Sequence, residues 1–582
     1  MTEPLVRFDS FDPRRGARSF SFGGFRRVLR ADRVDEVAGV LAEVEAATAA
    51  GLHAAGFVAY EAAPAFDPAL VTRPPAPGAP LAWFAVFAER RDETPDEPVG
   101  DFHLGEWEAA TPRAEYVARV GRIREWIAAG DTYQVNYTLR LRAPFHGDAS
   151  ALYRRLCGAQ RSAFCAFLDL GGHAIVSASP ELFFRWRDGE LELRPMKGTR
   201  PRGRHAAEDA RLAAELLSSP KERAENLMIV DLLRNDAGRI AEVGSVRVDR
   251  LFEAERYETV HQLTSTIRAT TPPSTRLGDV FRALFPCGSV TGAPKVRTMG
   301  IIAEVEDEPR GVYCGAIGFA SPGEAVFSVA IRTLVIDRAA RRAEMGVGSG
   351  ITWDSDAAAE HRECLDKAAF TRRAPNDFAL LETLLHEPVA GFFLLDEHLA
   401  RLERSAAHFD FRFDRREILR RLHAVVSPDQ ALRIRLLLDR AGAITVGAAP
   451  LDAAPSPVRL GLAAEPVDSR EPLLFHKTTR RDVYNRARAA RPECDDVLLV
   501  NERGELTEST VANLVLHLDG ALLTPPLDSG LLPGVFRAHL LRRGIIHERV
   551  LTLADVERAR GIYLINSVRR WRRAVWSGPG LS

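Results

Sequence analysis

The sequence predicts an α+β protein built as two consecutive parts. Three observations carry that reading. Short β-rich runs at 174–179, 182–186 and 325–335 alternate with amphipathic helical stretches at 206–217 and 224–233. A helical run at 357–370 ends in Thr371-Arg372-Arg373-Ala374-Pro375, where a new helical pattern begins, so the junction is expected near residue 374. Beyond it the alternation resumes, with strands expected at 458–462, 496–500 and 513–517. The expected domains are therefore 1–373 and 374–582. Pro- and Gly-rich stretches at 73–80 and at Pro272-Pro273 read as surface loops inside the first part.

Composition narrows the class. The 582 residues carry 78 Lys plus Arg against 79 Asp plus Glu, a net charge of −1, which supplies no electrostatic footprint for nucleic acid or an anionic membrane. With 46% hydrophobic and 27% charged residues, the chain lies far from the composition of disorder. No basic patch followed by an apolar run opens it, and no stretch has the roughly 18 apolar residues of a membrane helix, so a cytoplasmic protein is expected. The six cysteines form no C-x-x-C pair, which points away from a disulfide framework or a zinc site.

Lysine usage is more pointed. Only five of the 78 basic residues are lysines: Lys197, Lys221, Lys295, Lys367 and Lys477. Arginine replaces lysine wherever a solvated charge suffices, but it cannot become a neutral amine near pH 7. The surviving lysines are thus candidates for nucleophiles or imine formation.

In the first part, Glu222 and Glu225, and separately Glu360 and Glu363, lie three apart in helical stretches and so share a helix face. Two facing pairs would offer a hard-oxygen site for Mg²⁺; each pair alone reads more readily as a solvated face. The glycines of GVGSG (346–350), read as a loop, allow backbone N–H groups to approach an anion. The runs GDTYQVN (130–136), ASPEL (178–182), PMKGT (195–199), DLLRND (231–236), TGAPK (291–295) and GVGSG occur in a collinear order. That order resembles the chorismate-utilising enzymes, strongly over residues 100–370 and loosely before them, through GFVAYE (56–61).

The resemblance implies a β-sandwich flanked by helices, with Mg²⁺ held mainly by Glu225 and Glu363 and with Glu360 nearby. It implies a chorismate carboxylate gripped by Tyr313, Arg332, Lys367 and the backbone around Gly348 and Ser349, with Gln134 and Thr199 also at the substrate. Glu181 would be the general acid or base. Two positions bear on the reaction: relatives that activate water carry Lys where Gln134 stands, and anthranilate synthases carry Ala in the place of Lys197. A lysine at 197 resembles the aminodeoxychorismate synthases, where the amine attacks the ring before ammonia displaces it. One departure is Gln262, which stands where the family has His, with His261 beside it. No glutaminase pattern is present, so ammonia is expected from a separate glutamine amidotransferase subunit.

In the second part, Lys477 lies in HKTTR (476–480), followed by Tyr484, by GELTESTVAN (504–513) and by LPGVFR (532–537). An imine-forming lysine, a carboxylate for a pyridinium nitrogen and a glycine turn opening a helix toward an anion are what pyridoxal 5'-phosphate (PLP) requires. The order resembles fold-type IV PLP enzymes. That resemblance implies a Schiff base on Lys477, Glu508 facing the pyridine nitrogen, and Arg401 gripping the phosphate together with Val535, Phe536, Asn566 and Ser567. Phe536 departs from the usual Thr, and the family's opening strands before Leu381 are missing. The expectation is 4-aminobenzoate formation, by amination of chorismate and then elimination of pyruvate. An aminotransferase or a catalytically silent second half are the alternatives.

Overall fold

The computed structural model describes residues 3–11, 18–92, 100–372, 377–453 and 455–578; the expected junction at 373/374 lies outside the described residues. The chain divides into two compact units, Met1–Pro201 with Ala213–Asn376, and Arg202–Leu212 with Asp377–Ser582.

In the first unit, strand Leu5–Ser10 pairs antiparallel with Arg18–Ala31 on one side and with Phe164–Asp169 on the other. From the first neighbour the ladder continues through Ala82–Arg91, His53–Val58, Ala316–Ser321, Glu324–Val329 and Leu182–Arg187 to Glu190–Arg194 and Val260–Thr270. From the second it runs through His173–Ser179, Thr333–Asp337 and Arg342–Ile351 to Gln134–Gly147. The two arms fold over a shared interior of Phe8, Phe20, Phe22, Phe57, Ile175, Leu182 and Phe319, which is the expected sandwich.

Each outer face is covered by helices. Val34–Ala49, Pro220–Gly238 and Leu277–Leu284 bury Leu41, Ile229, Leu233 and Phe281 against one arm; Arg113–Ala128, Ala149–Gln160 and Ala357–Ala368 bury Tyr116, Leu152 and Cys364 against the other. Helix Pro220–Gly238 starts where it does because Ser219 caps it, accepting from Glu222 N, and Pro220 occupies the first turn. Asp356 caps Ala357–Ala368 through Ala359 N at 2.8 Å. The GFVAYE segment (56–61) is tied into this unit: Glu61 accepts from the backbone N–H of Arg310 (2.6 Å) and Gly311 (2.8 Å).

Two expectations are corrected. The run 325–335 is two strands, Glu324–Val329 and Thr333–Asp337, interrupted where Arg332 takes a φ of 50°, outside the extended region of a regular strand. The glycine cluster 346–350 is not a loop but part of strand Arg342–Ile351, in register from Gly346 opposite Arg140 to Gly350 opposite Asn136.

The second unit holds a four-stranded antiparallel sheet, in the order Gly391–Phe392, Leu380–Glu387, Leu432–Leu438, Ile444–Pro450. Helices Leu395–Phe409 and Arg415–His423 pack on it through Leu399, Leu402, Ile418 and Leu422. A larger mixed sheet runs Leu506–Ser509, Asp496–Val500, Val458–Leu462, Arg570–Trp576, Gly561–Asn566, Asn513–Leu518. It closes on itself where Glu508 pairs with Asn513. All six cysteines are free and buried. Among the described residues no helix is long and apolar enough to cross a membrane.

Candidate active sites

The first site forms where the strand Met196–Pro201, the helix Pro220–Gly238, the strand Arg342–Ile351 and the helix Ala357–Ala368 meet. Lys197 is half-buried. Its ammonium is destabilised by burial and by Lys367, and supported by Glu225, Glu181 and Glu363; the net effect lowers its pKa. Those charged groups therefore share one neighbourhood. Gly350 lets them in: a Cβ there would stand 2.3 Å from Gln134 Nε2 and 3.1 Å from Lys197 Nζ.

Glu181 is buried, one of its carboxyl oxygens has no hydrogen-bond partner, and burial pushes its pKa up to about 7. Gln134 Oε1 is likewise buried without a partner. Two orphaned polar atoms beside one amine mark a site awaiting a polar ligand, because leaving them unpaired costs about 1–3 kcal/mol each.

The strand position of the glycines gives them a different use from the one expected of a loop. Thr333–Asp337 pairs with Arg342–Ile351 only as far as Met345, so the next residues have an open edge on that side. Lys367 Nζ donates to Gly348 O at 2.8 Å, and a strand residue's N–H lies on the same side as its C=O, so Gly348 presents its N–H there too. Ser349 alternates inward, its hydroxyl 3.2 Å from Tyr116 Oη. Tyr313 is buried under Gly346, where a Cβ would fall 2.1 Å from its ring.

Arg332 donates to Gln160 Oε1 at 3.0 Å. Thr199 is exposed and donates to Gln262 Oε1 at 3.0 Å, so Gln262 faces the Thr199 side while neighbouring His261 is buried.

Among the described residues no group of three or more His, Cys, Asp or Glu is gathered as for a metal. Glu363 pairs with Lys367 at 2.8 Å, Glu360 accepts from Ser355 Oγ at 2.8 Å, and Glu225 lies 4.0 Å from Lys221. Glu225 and Glu363 nevertheless both act on Lys197, and their present partners are lysines whose charge a cation would replace. Two carboxylates of this kind fit Mg²⁺, which keeps several waters and a substrate anion as its other ligands.

One positioning residue had only a faint sequence signal. Asn226, fully buried next to Glu225, donates to Lys197 O and Leu263 O at 3.2 Å each and accepts from Ser265 Oγ at 2.6 Å. It fixes the backbone that carries Lys197 to the strand behind it. Lys295, by contrast, is spent on structure: it pairs with buried Asp236 at 2.8 Å.

In the second unit Lys477 is half-buried, and burial together with Arg401 and Arg481 brings its pKa down to about 8. Arg401 is held by Glu382 through two bonds, Nε to Oε1 at 2.8 Å and Nη2 to Oε2 at 2.6 Å. His398 adds a third contact to Glu382 at 2.7 Å. Arg401 also donates to Pro533 O at 3.3 Å, which sets it beside the N-terminus of helix Val535–Arg542.

Glu508 reaches the same turn, accepting from Leu532 N at 3.0 Å, from Tyr484 Oη at 2.8 Å and from Asn513 Nδ2 at 3.1 Å. Burial still pushes its pKa up to about 7. Phe536 buries its side chain against Val515, Leu540 and Ile565, which accounts for an apolar residue where the family has Thr. Asn566 accepts from the backbone of Val568 and Arg569, and Ser567 is buried beside it. A cationic guanidinium and open helix N–H groups suit a phosphate, a buried carboxyl suits a ring nitrogen, and a lysine of lowered pKa suits a carbonyl carbon, so these residues fit PLP. Tyr484 stood in the series that follows Lys477, whereas Glu382 and Arg481 carried no motif signal.

Comparison with known proteins assigns the chain to two families, one after the other. Residues 379–575 match the amino-transferase class IV family, whose domains work with PLP. The aminodeoxychorismate synthase component 1 of Klebsiella aerogenes is 45% identical over 262 residues, 45% of this chain and 58% of that protein. The anthranilate synthase component 1 of Streptomyces coelicolor is also 45% identical, over 264 residues, 45% of this chain and 51% of that protein. The chain thus spans between half and three fifths of these relatives. The crystal structure of anthranilate synthase component I from Streptococcus pneumoniae superposes with a TM-score of 0.52 at 28% identity, covering 64% of this chain and 92% of that one. With residues 10–373 matching the chorismate binding enzyme family over well more than half its length, the chain belongs to that family.

Proposed function

We propose that the chain makes 4-aminobenzoate in two steps: the first unit aminates chorismate to 4-amino-4-deoxychorismate, and the second eliminates pyruvate from that product. The observation that carries the reading is Lys197. Relatives named for the two competing aminations are equally similar, so residue chemistry must decide, and only an amine at this position can act as a nucleophile on the ring. Its lowered pKa favours the neutral form that attacks. Glu181, protonated up to about pH 7, can give its proton to the departing ring hydroxyl. Gln134 is an amide and cannot activate water, which argues against hydroxylation of the ring. Glu225 and Glu363 would hold Mg²⁺, with Glu360 beside them, and the ion would neutralise a substrate carboxylate. Lys367 and the open edge at Gly348 support the same grip. Ammonia would come from a separate glutamine amidotransferase subunit.

In the second unit, PLP supplies an electron sink for breaking bonds next to the substrate's amine-bearing carbon. Lys477 would anchor it and would hold or move the proton that elimination requires. Glu508 would hold the ring nitrogen, and Arg401 with the Val535 and Phe536 N–H groups would hold the phosphate. A second reading, an aminotransferase, is favoured by the class IV match itself, which includes both chemistries. A cytoplasmic location fits both. Incubating the purified chain with chorismate, Mg²⁺ and an ammonium salt, and identifying the products, tests the proposal. 4-Aminobenzoate and pyruvate are expected; anthranilate would overturn the first assignment, and amino-acid-dependent transamination would replace the second.

A further inference from the structure

Residues Arg202–Leu212 precede the second unit by well over a hundred positions yet pack as part of it. Their conformation is tightly specified. Arg202 grips Asp209 with two bonds of 2.8 and 2.9 Å, and Gly203 N donates to the same carboxylate at 2.8 Å. The turn is so close that a Cβ on Gly203 would stand 2.1 Å from Asp209 N. From this knot Arg202 donates to His408 O at 2.9 Å. Arg204 lies over the Phe475 ring at 5.1 Å and pairs with Asp528 at 3.0 Å.

The contact of consequence is at His476. Its ring is buried, with Nε2 3.1 Å from Arg204 O and Nδ1 2.9 Å from Ser405 Oγ. A carbonyl can only accept, so Nε2 carries the proton and Nδ1 accepts from the serine hydroxyl. Burial pulls the ring's pKa down to about 4, in keeping with this neutral tautomer. The next residue is Lys477. Its own carbonyl accepts from Leu381 N at 2.8 Å, and Thr479 N donates to Ala379 O at 2.9 Å. The backbone of Lys477 is thus tied to one strand on its C-terminal side and, through His476, to Arg202–Leu212 on the other.

We propose that Arg202–Leu212 is a positioning element of the Lys477 site, acting through the hydrogen bond from His476 to Arg204 O. The inference rests on Lys477 being the cofactor lysine. It makes the second active site dependent on a segment that follows Lys197 by only five residues, so a catalytic unit cut at the junction near 374 lacks a part it needs.

The test uses the full chain loaded with PLP, reduced with borohydride and mapped by peptide mass spectrometry. His476→Phe keeps the ring but loses both bonds, whereas His476→Gln restores a donor. Asp209→Ala unties the knot at a distance. His476→Phe and Asp209→Ala should lower the fraction of bound PLP fixed at Lys477 by about tenfold, the scale of one buried hydrogen bond left unmade, and His476→Gln should recover most of it. Thermal melts separate this from general loss of structure, and Asp209→Ala carries the test alone if His476→Phe does not fold. Unchanged labelling at Lys477 in His476→Phe and Asp209→Ala would overturn the proposal. Failure of the unsubstituted chain to label at Lys477 would instead overturn the lysine assignment.

Discussion

Replacing Glu382 by Gln is the sharpest single perturbation of the second site that leaves Lys477 and Glu508 intact. Glu382 is 2% exposed, and burial alone would raise its pKa; Arg401 and His398 reverse that and bring it from 4.5 to about 2. A difference of about 2.5 units, at about 1.36 kcal/mol per unit, corresponds to roughly 3 kcal/mol. The folded-state pKa is depressed, so this stability is fully present above pH 4.5 and is lost as pH falls through 4.5 toward 2. Glu382→Gln should therefore cost about 3 kcal/mol at pH 7, the scale of breaking one partner of a buried ion pair. The difference from the unsubstituted chain should shrink toward zero near pH 2. Hydrogen exchange of the Leu380–Glu387 strand, corrected for the intrinsic pH dependence of exchange, reads this locally. PLP affinity should fall as well, because Arg401 loses the carboxylate that orients it. A stability difference that stays constant between pH 6 and pH 3 would refute the reasoning.

Lys197→Ala should lower amination by about a thousandfold or more while leaving conversion of supplied 4-amino-4-deoxychorismate intact, and Lys477→Ala should do the reverse and accumulate that compound. Mixing the two variants should restore 4-aminobenzoate formation if the compound passes through solution; product analysis by chromatography checks each case. The isolated chain should turn over chorismate with an ammonium salt at alkaline pH but not with glutamine alone, a contrast that glutamine-dependent activity without a second subunit would abolish. Glu225→Ala and Glu363→Ala should each reduce chorismate consumption by about a hundredfold without unfolding the chain, and full activity in excess chelator would return both carboxylates to the status of a solvated helix face.

What the sequence made legible was chemistry carried by residue type or by short spacing. Lysines rare enough to stand out led to Lys197, Lys367 and Lys477, and three-residue glutamate spacing put each acidic pair on one helix face because the helical period does so anywhere. The mixed strands and helices followed from alternation, and their arrangement as a sandwich from the resemblance alone. What stayed hidden depends on chain segments meeting from far apart. Nothing local to Ala325–Val335 announces that Arg332 breaks the run. GVGSG reads as a loop until its register opposite Gln134–Gly147 is known, and only then does the open edge at Gly348 appear. His476 and Arg204 are 272 residues apart, a separation at which neither propensity nor motif has anything to say.

The three buried glutamates show why motif and environment must be read together. Glu181, Glu382 and Glu508 have the same intrinsic acidity and nearly the same burial, yet the first and last are pushed up to about 7 and the middle one down to about 2. Burial pushes all three upward, so the sign is set by what faces each carboxyl. Glu382 meets a guanidinium in two bonds and an imidazole in a third. Glu508 meets a phenol, an amide and a backbone N–H, all neutral, and Glu181 keeps one oxygen with no partner. A carboxyl whose counter-charge is built into the protein is ionised at neutral pH and serves to hold its partner still. A carboxyl whose nearest cations act without a direct bond to it, Lys197 for Glu181 and Lys477 and Arg481 for Glu508, stays partly protonated near neutral pH and is poised for a group from outside: in the proposed reactions, a positive ring nitrogen for Glu508 and a leaving hydroxyl in need of a proton for Glu181. On this physical distinction Glu382 is a support for Arg401, whereas Glu181 and Glu508 are the carboxyls we propose for chemistry.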